Sequence, residues 1–97
     1  MLINKDMIEI ARLIFLLEQV VTYLKKSGNG ESSYAYLIKS INILESKASN
    51  GMKNLYKYIM NDFRMMGDRG QYGEDIDPIT DEIFTIISNN PLFNNGQ

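Results

Sequence analysis

Apolar residues recur at helical spacing along most of this chain, and the pattern predicts four helices. The first runs from Asn4 to about Lys26, where the polar residues leave most of the helix circumference apolar. The second is an amphipathic stripe formed by Tyr34, Leu37, Ile41, Leu44 and Ala48. No strand-like alternation of apolar and polar residues accompanies these patterns. We therefore expect an all-α fold.

The other two predicted helices lie on either side of a long polar stretch. Ser49-Asn50-Gly51 is expected to break the second helix, and the third begins at once. Its apolar face consists of Met52, Leu55, Tyr56, Ile59, Met60, Phe63 and Met66. Gly67 is expected to end it, because glycine readily adopts the left-handed conformation that closes many helices. The fourth helix is expected to bury Ile79, Ile83, Phe84, Ile86 and Ile87.

Asp77 and Pro78 form the strongest helix-start signal in the sequence. The Asp77 side chain is expected to accept free amide hydrogens of the fourth helix, with Pro78 at the first helical position. Asn89-Asn90-Pro91 ends that helix, after which Leu92 and Phe93 are expected to fold back onto the core. The elements together predict one domain over residues 1–97. Its expected fold is an up-and-down bundle of about four helices with a glycine-rich acidic loop between helices three and four.

The composition excludes most familiar catalytic sites. None of the 97 residues is cysteine or histidine, which removes thiol nucleophiles, disulfides, the usual zinc ligands and the commonest general base. We therefore expect no enzyme, no cofactor and no metal site. The stretch from Leu13 to Leu24 is interrupted by polar residues, whereas a membrane-spanning helix needs about 20 mostly apolar residues. The acidic N-terminus without a cleavage site predicts a cytoplasmic protein.

Charge is unevenly distributed along the chain. Residues 1–67 carry nine basic and six acidic side chains, net +3, while residues 68–97 carry one basic and six acidic, net −5. An acidic surface of this kind attracts a basic partner. The candidate partner-binding residues are Asp68, Tyr72, Glu74, Asp75, Asp77, Asp81 and Glu82.

Each of these assignments has an alternative explanation. Asp77, Asp81 and Glu82 also suit the first turns of a helix, where acids interact favourably with the helix dipole. The remaining acids are also typical of a solvated loop. Tyr72 can act as an anchor in a partner's pocket, or its ring can pack over the end of the bundle.

The three glycines of the acidic loop are not a phosphate-binding or calcium-binding motif. Gly67, Gly70 and Gly73 are surrounded by acids, which would repel a phosphate, and no strand precedes them. The order of the acids also lacks the alternating ligands and the final glutamate of an EF-hand. Turns with positive φ explain the glycines more simply.

Two further surfaces offer alternative functions. Lys53, Lys57 and Arg64 recur on the exposed side of helix three and form a candidate nucleic-acid contact face for a small dimeric regulator. In helix one, Ile8, Phe15 and Leu16 widen the apolar surface beyond what one neighbouring helix covers. This helix is either the central helix of the bundle, a homodimer seam or a membrane-surface helix.

The segment Asn54-Leu-Tyr-Lys-Tyr-Ile-Met-Asn-Asp-Phe-Arg-Met-Met-Gly-Asp-Arg-Gly, followed by Asp81-Glu-Ile-Phe, resembles small all-helical immunity proteins of bacterial toxin systems. The resemblance is greatest to immunity proteins of contact-dependent growth inhibition. It implies a cytoplasmic inhibitor that binds one cognate toxin domain, often a nuclease, and keeps it from its substrate. An acidic inhibitor suits a tRNA-cleaving or other RNA-cleaving toxin, because the substrate groove of such an enzyme must be basic.

Overall fold

Five α-helices and two short 3₁₀ helices make up the computed structural model, which describes residues 3–47 and 49–94. The α-helices are α1 (Asn4–Lys26), α2 (Ala35–Ser46), α3 (Ser49–Met52), α4 (Leu55–Asp68) and α5 (Asp77–Asn89). The 3₁₀ helices are Glu31–Ser33 and Pro91–Phe93. This part of the chain contains no strand, so the all-α prediction is confirmed. Residues 1–2 and 95–97 of the predicted domain, and Ala48 of the predicted stripe, lie outside the described residues.

The long helix α1 is the centre of the packing. It contacts both α2 and α5, while α4 packs mainly against α2. Its core residues Leu13, Leu17, Val20 and Leu24 are fully buried, which the broad apolar circumference of this helix predicted. The radius of gyration is 12.7 Å, near the value of about 12.5 Å expected for a compact domain of this length. The described residues therefore form one compact globule, in which α4 and α5 make little direct contact.

The connection between α2 and α4 differs from the prediction. The chain leaves α2 at Lys47, whose φ of 55° is left-handed, and the expected break at residues 49–51 instead forms the short helix α3. A Cβ at Gly51 would lie 3.1 Å from the Ile43 side chain, so a larger residue there would require Ile43 to shift. The predicted third helix corresponds to α4, which starts at Leu55 and not at Met52.

The end of α4 was also predicted at the wrong glycine. Gly67 lies inside the helix, and Gly70 is the residue with the left-handed φ of 67°. The amide of Gln71 donates to the carbonyl of Met66 at 2.9 Å, and the amide of Gly70 donates to that of Gly67 at 3.0 Å. This pair of hydrogen bonds is a Schellman motif, which satisfies carbonyls that the helix end leaves unpaired.

Asp77 does not cap α5 as the sequence predicted. The N-cap position is Ile76, without a side-chain hydrogen bond, and Asp77 is the first residue of the helix. Its Oδ1 accepts a hydrogen bond from the amide of Gly73 at 3.0 Å, and its own amide donates to the Gly73 carbonyl at 2.8 Å. The Asp77 side chain therefore closes the preceding turn.

The residues after α5 fold back onto the core, as predicted. Phe93 is fully buried and Leu92 is half-buried. Asn90 fixes this segment to α1, because its Nδ2 donates to Asp6 Oδ1 at 3.0 Å and to Glu9 Oε1 at 2.7 Å.

Candidate functional site

The seven predicted partner-binding residues fall into different surroundings. Tyr72 and Asp81 line a pocket between α4 and α5, and Tyr72 and Asp68 line a second pocket on α4. Because Met60, Phe63 and Tyr72 are common to both, we call the two pockets together the α4–α5 groove. Asp75 faces a separate groove beside α1, and Glu74 is exposed in the loop. Asp77 and Glu82 are engaged in hydrogen bonds within the chain. The acidic surface is therefore divided.

The α4–α5 groove lies where α4 and α5 make little direct contact. Its walls are formed by Met60, Phe63, Tyr72, Thr80 and Phe84. It consists of two adjoining pockets, one of about 220 Å³ that includes Asp81 and one of about 440 Å³ that includes Arg64, Gly67 and Asp68. Met60, Phe63 and Tyr72 are common to both pockets. The groove therefore combines an apolar wall with a carboxylate in each pocket.

Tyr72 is held against α4 and is still accessible. Its hydroxyl donates a hydrogen bond to the carbonyl of Phe63 at 2.9 Å, and a Cβ at Gly67 would lie 3.6 Å from its ring. The residue remains 41% exposed. Burial, and secondarily the charges of Asp77 and Asp81, raise the pKa of the Tyr72 hydroxyl. The ring therefore packs on the bundle and also presents a surface, so both expected roles are compatible with its position.

Phe84 was expected in the core, but 44% of it is exposed. Its neighbour Ile83 is fully buried. Successive residues of an α-helix are rotated by about 100°, so Phe84 points away from the core and toward the α4–α5 groove. The ring centroid lies 6.3 Å from that of Tyr56 on α4. Sequence periodicity does not identify this exposure, because Phe84 is apolar and adjacent to the buried Ile83, so its spacing is compatible with the core.

Two carboxylates of the groove have no charged partner among the described residues. Asp68 and Asp81 are exposed, and the ion pair between Arg12 and Glu82 is the one pair that forms within residues 3–47 and 49–94. Arg64 lines the pocket of Asp68, whereas no basic residue lines the pocket of Asp81. The negative charge of Asp81 is therefore uncompensated within its own pocket.

Glu82 was expected on the partner-binding surface and instead joins two helices. Arg12 on α1 donates from Nε and Nη2 to the two carboxylate oxygens of Glu82, at 2.7 and 2.8 Å. These hydrogen bonds lower the pKa of Glu82 and raise that of Arg12. The same guanidinium lies 5.5 Å from the centroid of the Phe15 ring. Glu82 is thus occupied by a contact that spans 70 residues of sequence.

The proposed homodimer seam on α1 is partly core. Leu16 is buried, while Ile8 and Phe15 are 69% and 53% exposed. Phe15 also lines a groove of about 430 Å³ with Lys26, Asp75 and Ile79. The exposed apolar face of α1 is therefore narrower than the sequence predicted.

The basic face of helix three contains an aromatic pair that the sequence did not show. Tyr36 of α2 stacks on Tyr58 of α4, with ring centroids 5.3 Å apart and planes within 9°. The Nζ atoms of Lys39 and Lys57 lie 4.6 and 6.0 Å from the Tyr58 centroid. Only the packing of α2 on α4 brings these residues together, so periodicity within either helix gave no signal for the pair.

The acids on the described helices do not form a cluster that could hold a metal ion. Asp62 is buried and accepts hydrogen bonds, and Glu9 binds Asn90. Across residues 3–47 and 49–94, no three acidic side chains are close enough together to hold a metal ion. Among the helices of the same part of the chain, none has the length and apolar character needed to cross a membrane.

Comparison with protein-family models gives no match for this chain, and comparisons with curated proteins and with solved structures give none either.

Proposed function

We propose that this protein is a cytoplasmic immunity protein that binds and neutralises a cognate toxin domain, in particular a tRNA-cleaving or other RNA-cleaving nuclease. In this proposal an up-and-down bundle is the scaffold, and the glycine-rich loop with the start of α5 faces the toxin. The observation that carries it is the set of exposed acids without ion pairs, next to exposed aromatic rings. Among the described residues, that set comprises Asp68 and Asp81, which share pockets with Tyr72 and Phe84, while Glu74 and Asp75 add exposed charge in the adjoining loop.

The physical reason is charge complementarity with a nuclease. An enzyme that holds an RNA backbone must present a basic groove, so an acidic protein can occupy that groove in place of the substrate. Long-range attraction between the two surfaces accelerates their encounter, while buried aromatic anchors slow dissociation. The α4–α5 groove provides the aromatic rings, and the loop provides the additional charge.

The direct test uses the polypeptide encoded immediately upstream of this protein. Its C-terminal domain is expected to arrest bacterial growth and to cleave RNA, and co-expression of this protein is expected to restore growth. The double variant Asp68→Lys/Asp81→Lys is expected to bind the purified domain about 10–100-fold more weakly, with most of the loss in the association rate at low salt.

The matched control is Glu31→Lys/Glu45→Lys, which changes the net charge equally at exposed positions outside the groove. Wild-type affinity and protection in this control would assign the effect to the groove. Equal binding by both double variants, or an upstream domain that is harmless and does not bind, would refute the proposal.

A second candidate is a small dimeric nucleic-acid-binding regulator. It is favoured by the stacked Tyr36 and Tyr58 rings with Lys39 and Lys57 around them, because aromatic rings beside cations are typical of single-stranded nucleic-acid surfaces. The exposed Ile8 and Phe15 of α1 would form its homodimer seam.

This alternative predicts a salt-dependent gel shift with single-stranded RNA that is lost in Lys57→Glu and retained in Lys5→Glu, which changes an exposed lysine on α1. Equal binding by both variants would show that the surface around Tyr58 is not the contact. A shift lost only in Lys57→Glu, with no inhibition of a neighbouring toxin, would replace the first proposal by the second.

A further inference from the structure

We propose that the smaller pocket of the α4–α5 groove receives one arginine side chain of the partner. Its alkyl stem would lie on Met60, and its guanidinium would stack on Phe84 and bind Asp81 and the Tyr72 hydroxyl oxygen. The proposed function supplies the partner that carries this arginine. The pocket itself is defined by the described residues alone.

The first argument is that this pocket combines an apolar wall with an uncompensated charge. Its volume is about 220 Å³, and its lining contains Met60, Phe63 and Phe84 together with one carboxylate, that of Asp81. The neighbouring pocket contains Arg64 beside Asp68, and the groove beside α1 contains Lys26 beside Asp75. Of these three, the Asp81 pocket alone offers a carboxylate without a basic side chain in its lining.

The second argument concerns the hydrogen-bond acceptors. The Tyr72 hydroxyl already donates its hydrogen to the Phe63 carbonyl, so its oxygen can still accept a hydrogen bond. The Thr80 hydroxyl lies 3.2 Å from the Asp77 carbonyl and 3.4 Å from the Ile76 carbonyl, so its hydrogen is directed back into α5. The polar atoms offered to an occupant are therefore acceptors. They suit an occupant that donates hydrogen bonds and carries positive charge.

The third argument distinguishes arginine from lysine and from an apolar side chain. A planar guanidinium stacks on an aromatic ring and donates several hydrogen bonds in one plane, whereas an ammonium group is compact and more strongly hydrated. The exposed ring of Phe84 provides the stacking surface beside Asp81. A purely apolar side chain would leave Asp81 without a partner at the edge of the interface.

The experiment uses n-butylguanidinium as a probe, which joins an apolar stem to the head group of arginine. The probe is titrated into the ¹⁵N-labelled full chain, and amide shifts are followed by NMR. We expect saturable shifts around Tyr72, Asp81 and Phe84. Asp81→Asn and Phe84→Ala should each weaken binding by about fivefold. N-butylurea, with a similar stem and a neutral head, should bind much more weakly, and n-butylammonium should bind less tightly than n-butylguanidinium.

The control variant Asp75→Asn removes an exposed acid from the groove beside α1 and should leave the titration unchanged. Three results would overturn the inference: equal effects of Asp75→Asn and Asp81→Asn, shifts spread over all exposed acids, or equal binding of n-butylurea.

A second test uses the toxin domain, whose binding should weaken about fivefold in Phe84→Ala. Toxin binding unaffected by Asp81→Asn and Phe84→Ala would refute the arginine pocket and leave the proposed function intact. Saturable binding of n-butylguanidinium, together with no binding of any toxin domain, would support the pocket and refute the proposed function.

Discussion

The carboxylate of Asp62 on α4 accepts a hydrogen bond from the backbone amide of Leu37, the third residue of α2, at 3.0 Å. Asp62 is 1% exposed, and its other oxygen accepts from the Asn61 side chain at 3.2 Å. The start of α2 has no side-chain cap of its own. Asp62 on α4 therefore accepts a hydrogen bond from a free amide at the start of α2, which is the role that an N-cap side chain normally has in its own helix.

This relationship predicts that the acceptor at position 62 matters more than its charge. Asp62→Leu leaves the Leu37 amide buried without an acceptor and should lower the free energy of unfolding by about 1–3 kcal/mol. Asp62→Asn keeps an oxygen at the same place and should change it by less. Urea denaturation of both variants checks this. A leucine variant at least as stable as the asparagine variant would contradict the capping role.

The buried carboxyl also predicts a pH dependence. Burial is the largest effect on Asp62 and raises its pKa above the ordinary value of 3.8, although its hydrogen bonds act in the opposite direction. The folded protein therefore binds this proton more tightly than the unfolded chain. The difference in unfolding free energy between the wild type and Asp62→Asn should therefore shift in favour of the wild type as pH falls through the folded pKa of Asp62 toward 3.8. This contribution is lost as pH rises through the folded pKa.

Parallel urea titrations of the wild type and Asp62→Asn across this pH range isolate the effect, because the other acids are common to both proteins. A difference in stability that does not change with pH, or one that falls toward low pH, would show that burial does not dominate the titration of Asp62.

Local periodicity explains why the long helices could be predicted and several contacts could not. Leu13, Leu17 and Leu24 lie on one face of α1 whatever that face packs against, so their burial follows from spacing. The Asp62 contact joins residues 25 positions apart, and the Arg12 contact with Glu82 joins residues 70 apart. Neither contact can be predicted from the apolar spacing within the helices that it joins. Sequence reasoning therefore placed Glu82 on an open acidic surface.

The site shows the same division between local and long-range information. The charge asymmetry predicted an acidic surface near α5, and two of its acids, Asp68 and Asp81, lie in two pockets that share Tyr72. Phe84 is exposed and lines the pocket between α4 and α5, and hydrophobic spacing within α5 cannot report how the two helices pack. Hydrophobic spacing therefore gave no signal for the apolar wall of the groove, and the partner-binding role of its acids stays a prediction.

The two glycines at the end of α4 should respond oppositely to alanine. Gly67 lies inside α4, and a Cβ there would lie 3.6 Å from the Tyr72 ring, which is an ordinary van der Waals contact. Gly67→Ala should therefore stabilise the protein by roughly 0.5–1 kcal/mol. Gly70 has a φ of 67°, where an L residue is strained, so Gly70→Ala should destabilise by about 1–2 kcal/mol.

Thermal or urea unfolding of the two alanine variants decides which glycine ends the helix. Gly73→Ala serves as the control, because a Cβ there meets nothing within 4 Å and its φ is not positive. A larger loss of stability from Gly67→Ala than from Gly70→Ala would indicate that α4 ends at Gly67, as the sequence predicted.

The pair of Arg12 and Glu82 should stabilise the contact of α1 with α5 in a salt-dependent and pH-dependent way. Both side chains are substantially exposed, so dissolved ions screen their attraction. The Arg12 hydrogen bonds lower the pKa of Glu82 below its ordinary 4.5. The stabilisation is therefore present above that value and is lost as pH falls through the lower pKa of the folded state.

A double-mutant cycle with Arg12→Gln and Glu82→Gln measures this coupling directly. The coupling should be favourable at neutral pH and low salt, and it should shrink both at 1 M salt and at acidic pH. Glu18→Gln, which changes an exposed acid on α1 without an ion pair, should show no such coupling with Arg12→Gln. Coupling that persists unchanged in high salt would mean that Arg12 acts through packing on Phe15 instead of through its charge.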